Sequence, residues 1–104
     1  MDRDQLLSQA KGLLRKAFGQ RFRGVVLYGS EARGDAQDDS DVDLLVLLSG
    51  PVDHGRDAAA CVDALYDLVL ELGRPIHAKP VDEQDYRDQR APLYRQARRE
   101  GVWP

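Results

Sequence analysis

Two carboxylates one residue apart, Asp41 and Asp43, open the apolar run from Val42 to Leu48. In a strand, residues two apart share a side, so the two carboxylates project together while Val42 turns into the core. Like charges a few ångströms apart repel, and an ionised pair is tolerable when water or a cation lies between them. A hard divalent cation suits the pair. Mg²⁺ takes oxygen ligands, usually one or two carboxylates completed by water and substrate phosphate. A second feature stands ahead of them, where Gly29-Ser30 closes the apolar run that ends at Tyr28. A glycine there lets another group approach the backbone closely, and N–H groups leading into a helical turn can hold phosphate oxygens. Ser30 adds a hydroxyl donor, and Arg33 can either contact a phosphate or pair with Asp35 or Asp38. Asp41 and Asp43 are thus the candidate catalytic and metal-binding residues, and Gly29, Ser30 and Arg33 the candidate phosphate contacts. Taken singly, a Gly-Ser is an ordinary turn and an Asp-x-Asp a solvated strand start. The specific signal is their joint spacing between two apolar runs. No Gly-Lys-Ser/Thr follows, so the loop is not of the Walker kind.

These residues need elements to hold them. Leu6, Leu7, Ala10, Leu13, Leu14, Ala17 and Phe18 recur at helical spacing and predict an amphipathic helix from Asp4 to Phe18. Arg23 to Tyr28, short, β-branched and closed by Gly29, predicts a buried strand, and Val42 to Leu48 a second one ended by Ser49-Gly50-Pro51. The polar connection between them, Gly29 to Asp41, is too long for a tight hairpin and has room for one helical turn. Such loops in compact domains usually bind something. Ala58, Cys61, Val62, Leu65, Leu68, Val69 and Leu72 predict a helix from Asp57 to Leu72 with Gly73 as its stop. Pro75 to Val81 predicts a third strand, which Pro80 places at an edge. Asp82 is a candidate cap for a helical segment from Glu83 to Gln89, and Pro92 opens another through Arg99. The order is α, β, β, α, β, α.

Composition limits the function. A chain of 104 residues with 42% hydrophobic residues carries one domain, residues 1–104, with a modest core. A net charge of −3 argues against bulk attraction to nucleic acid, despite the arginines near the C-terminus. Cys61 is the only cysteine, so no disulfide framework and no cysteine-based metal cluster is expected. With no apolar N-terminal leader and no apolar run near the roughly 20 residues of a membrane span, the expectation is a cytoplasmic protein without a membrane segment.

The segment GSEARGDAQDDSDVDLLV resembles the signature of the DNA polymerase β-like nucleotidyltransferase superfamily, and in particular its minimal nucleotidyltransferases, the small antitoxin partners of HEPN-domain toxins. The order of elements and the chain length are also similar to that family. The resemblance implies an α+β fold, a small mixed β-sheet flanked by helices. It implies Mg²⁺ on Asp41 and Asp43, ATP as substrate with Gly29 and Ser30 holding the triphosphate, and transfer of AMP onto a tyrosine of a HEPN toxin, which neutralises it. Nucleic acid is not an expected partner.

One position departs from the family pattern. A later strand usually supplies a third carboxylate in the order apolar, Asp, apolar, apolar, Pro, and in IHAKP the place of that Asp is taken by His77. A neutral imidazole can serve as ligand or base, although it is a poorer Mg²⁺ ligand than carboxylate. Two readings stay open: an adenylyltransferase antitoxin, and an antitoxin of the same fold that is catalytically silent and neutralises its partner by binding alone. Lys79 alternates with His77 onto one face, as a phosphate contact or a solvated edge lysine. His54, in the loop after Ser49-Gly50-Pro51, has no companion. Tyr86, Tyr94 and Trp103, interleaved with Arg87, Arg90, Arg95, Arg98 and Arg99, form either a partner surface or a helix with its aromatics in the core.

Overall fold

The computed structural model describes the backbone of residues 1–34 and 40–100, and within these the side chains of all but residues 30, 31 and 100. The first helix, α1, runs over Arg3–Phe18. Asp2 caps it: its carboxylate accepts from the Gln5 N–H at 2.8 Å, and the Gln5 side chain accepts from the Asp2 N–H at 2.9 Å. This reciprocal box fixes the start of the helix. Leu6, Leu7, Ala10 and Leu14 form its buried stripe. A short 3₁₀ turn, Gly19–Arg21, leads into strand β1, Phe22–Tyr28. One helical turn follows, α2, Ser30–Arg33, as the length of the connection predicts. The expected pairing of Arg33 with Asp35 or Asp38 involves positions 35–39, which lie outside the described residues.

Strand β2 spans Val42–Leu48, helix α3 His54–Leu72 and strand β3 Ile76–Asp82. Helix α3 starts earlier than its apolar periodicity predicts, because the Asp53 side chain caps it by accepting from the Arg56 N–H at 3.0 Å. His54 is therefore its first residue rather than part of a loop. Gly73, at φ 69°, ends it in a left-handed cap. Asp82 caps α4, Glu83–Arg87, by accepting from the Gln84 N–H at 2.8 Å. The last helix, α5, covers Pro92–Glu100.

The three strands form one mixed sheet in the order β1-β2-β3, with β1 antiparallel and β3 parallel to β2. Pro80 thus sits on an edge strand, where its missing N–H removes no ladder bond on the open side. β2 is central and apolar on both faces, as a strand covered on both sides must be. Val42, Leu44, Val46 and Leu48 face α1 and α3 in the larger core cluster. Leu45 and Leu47 face the opposite layer with Val26, Val81, Tyr86 and Ala97. Tyr86 is 3% exposed and Tyr94 packs against the same cluster, their rings 6.0 Å apart. Tyr86 is thus a core residue and Tyr94 a partly buried one packed on it, and Trp103 lies outside the described residues. Among the described residues no helix is long and apolar enough to cross a membrane.

Candidate active site

By the alternation of β2, Asp43 shares a face with Leu45 and Leu47, at the end of the strand beyond the apolar residues of that layer. Directly opposite it stand Tyr28 on β1 and His77 on β3. Cross-strand partners project to the same side, so Tyr28, Asp43 and His77 form a row across the sheet. His77 Nδ1 lies 3.9 Å from Asp43 Oδ1. Strand register, rather than proximity in the chain, brings the imidazole beside the carboxylate.

Asp43 is half-buried and Asp41, just before the strand, is exposed. Burial pushes the Asp43 carboxyl above the usual range, the His77 imidazole opposes that, and the negative charge of Asp41 adds to it. Tyr28 is pushed up as well, first by burial and then by the charge of Asp43, so it stays a neutral phenol.

Gly29 has a role more specific than a permissive turn. Its φ is 76°, and a Cβ built on it would lie 2.7 Å from Asp43 Oδ2. The close approach that glycine permits is made here by the carboxylate of Asp43 itself. The turn of α2 begins at the next residue, and the Arg33 N–H donates to the Gly29 carbonyl at 3.1 Å. Arg3 Nη1 donates to the Ala32 carbonyl at 3.3 Å, tying this turn to the start of α1. Arg33 itself is exposed, and the Ser30 side chain lies outside the described ones.

The approach to Asp41 is held by the segment that leads into β3. Arg74 Nε donates to the Ser40 carbonyl at 3.0 Å, and the Val42 N–H donates to the Pro75 carbonyl at 2.9 Å. Neither Arg74 nor Tyr28 is found by sequence reasoning. Arg74 is separated from Ser40 by 34 positions and carries no local signal. Tyr28 could have been found, since the residue before Gly29 must pair near the start of β2 once the two strands are antiparallel.

Among the described residues no group of three His, Cys, Asp or Glu side chains is arranged to hold a metal ion. The hard oxygen donors of Asp41 and Asp43 nevertheless fit a cation whose remaining ligands are water and phosphate. The arginines of α5 gather elsewhere: Arg95, Arg98 and Arg99 line an open hollow of about 530 Å³ together with Gln89 and Pro92.

Comparison with known proteins gives this geometry a family. Over 78 residues, 75% of this chain and 72% of the relative, the sequence is 30% identical to a Methanocaldococcus jannaschii protein named "Putative protein adenylyltransferase MJ0604". The fold is shared with a solved "toxin-antitoxin with AMP-PNP", at 21% identity and a TM-score of 0.65, covering 92% of this chain and 69% of that one. It is also shared with a structure described as "putative minimal nucleotidyltransferase", at 28% identity and a TM-score of 0.61, covering 98% of this chain and 95% of the other. The model of the nucleotidyltransferase domain matches residues 9–99, and the chain belongs to that family.

Proposed function

We propose that this protein is an antitoxin that transfers AMP from ATP, with Mg²⁺, onto a tyrosine of a HEPN-type toxin. The observation that carries the reading is the placement of Asp43 against Gly29, with Asp41 close enough to raise its carboxyl further. A carboxylate pair built into the rim of a strand, beside the turn that opens α2, is a site for a cation and phosphate together. The name of the Methanocaldococcus jannaschii relative and the AMP-PNP of the toxin–antitoxin structure support adenylyl transfer and a protein partner.

In this reading Asp41 and Asp43 hold Mg²⁺, which supplies charge neutralisation for the entering and leaving oxygens of an in-line displacement at the α-phosphorus. The tyrosine oxygen forms a bond to that phosphorus as the bond to pyrophosphate breaks, and the phenolic proton passes to solvent or a nearby base. The backbone N–H groups at Gly29 and Ser30 orient the triphosphate, and Arg33 offers a charge to it. Gly29 also leaves Asp43 its place.

His77 favours a second reading. It occupies, by register, the sheet position beside Asp43 where a third carboxylate is expected. Such a chain would neutralise its partner by occlusion alone. The experiment that decides is the intact mass of a candidate HEPN-type toxin, after incubation with this protein, ATP and Mg²⁺, with EDTA as control. A metal-dependent gain of one or more AMP units is expected. No gain with wild type, but a gain with His77→Asp, would establish the silent antitoxin instead.

A further inference from the structure

Four large hydrophobic side chains are strongly exposed among the described residues, and three of them, Val62 at 63%, Tyr66 at 58% and Leu70 at 63%, lie on α3. Their spacing of four places them in one line along the outer face of the helix. The opposite face, with Cys61, Leu65 and Leu68, is buried against the sheet. Asp63, Asp67 and Glu71, all exposed, run beside the apolar line at the same spacing. Among the described residues no arginine or lysine pairs with these three carboxylates.

We propose that this stripe is the docking surface for a protein helix that presents apolar side chains edged by Lys or Arg. The inference rests on the protein-partner reading above and names the surface that reading needs. An apolar line of this kind fits an amphipathic helix, and the acidic row selects the charge along its edge. The same row argues against a second copy of this chain. An antiparallel two-fold contact would set the two acidic rows against each other, and a parallel one would align the helix dipoles side by side.

The stripe also ends at the same end of the sheet as the site. Leu70 lies one turn before Gly73, after which Arg74 and Pro75 bond the segment that carries Ser40, Asp41 and Val42. A partner helix laid along α3 therefore has one end at the sheet end that carries the two carboxylates, although Asp43 projects from the face of the sheet opposite α3.

The test is a calorimetric titration of the full chain with the full-length candidate HEPN-type toxin, run with wild type, Tyr66→Glu, Leu70→Glu and the pair Asp63→Lys, Asp67→Lys. All sites are exposed, and circular dichroism checks that each variant folds. Tyr66→Glu and Leu70→Glu should each weaken binding about 30-fold or more, the scale of an interface hot spot. The charge reversal should weaken it less and flatten its salt dependence. Wild-type affinity in the stripe variants overturns the proposal, as does a wild type that does not bind. A wild-type dimer by light scattering that Tyr66→Glu converts to monomer overturns it in favour of a second copy. Stripe-dependent binding without AMP transfer leaves the docking surface standing and removes only the transferase reading.

Discussion

Gly29→Ala separates two costs that usually come together. An L-residue at φ 76° incurs the left-handed penalty, roughly 1–2 kcal/mol. The new Cβ would also lie 2.7 Å from Asp43 Oδ2, so the carboxylate must move. Because Asp43 is only half-buried it can swing outward, and the added cost is about 1 kcal/mol, the low end for overpacking. Gly73→Ala supplies the control: its φ is 69°, with nothing within 4 Å of the added Cβ. At about 4–8 °C per kcal/mol for a domain near this size, thermal unfolding should place Gly73→Ala roughly 4–16 °C below wild type and Gly29→Ala roughly 4–8 °C lower again. Asp43→Ala removes the clash, so the double variant Gly29→Ala, Asp43→Ala should be about 1 kcal/mol more stable than the sum of the singles predicts. Additivity within about 0.5 kcal/mol would refute the contact between the two residues.

Groups far from that site give three further outcomes. Asp57, 2% exposed, accepts from Arg21 Nη1 at 3.0 Å and Nη2 at 2.9 Å and from the Asp53 N–H at 3.1 Å. The Arg21 bonds hold its carboxyl below the usual range against the opposing effect of burial. A depressed folded value means the stabilisation is present above the ordinary carboxylate range and is lost as pH falls through the folded value. Urea unfolding should show wild-type stability falling below about pH 4 more steeply than that of Asp57→Asn. Arg21→Ala should cost about 2–3 kcal/mol at pH 7, since it strands a buried carboxylate while the partly exposed arginine itself gives up little; urea midpoints at that pH measure it. Cys61 is buried and its thiol is pushed up to about 12, so a thiol reagent at about pH 8 should label it only after denaturation. Rapid labelling of the native protein would show that α3 opens locally.

Much of the scaffold was legible because its signals are local. The apolar periods of α1 and α3, the strand Val42 to Leu48 and the cap at Asp82 depend on residues within a turn or two of one another. The errors were local too: Asp53 starts α3 before its first apolar residue, and Gln89, at φ 52°, stands beyond the end of α4 rather than within it. The aromatics near the C-terminus could not be placed from sequence, because a tyrosine at helical spacing suits a core and an interface equally. Packing against Val26, Leu45 and Leu47 assigns Tyr86 to the core.

Which residues are candidates to hold a cation and phosphate was readable from residue type and the strand period of two, which predict Asp41 and Asp43 on one side. The order of residues in IHAKP likewise marked His77 as the departure from the family pattern. That Gly29 makes room for Asp43, that Tyr28 and His77 flank it, and that Arg74 holds the approach to Asp41 came from the folded chain alone. Each depends on strand register and on contacts between residues distant in the chain, which are set by the packing of the whole sheet and leave no mark on any local stretch of sequence.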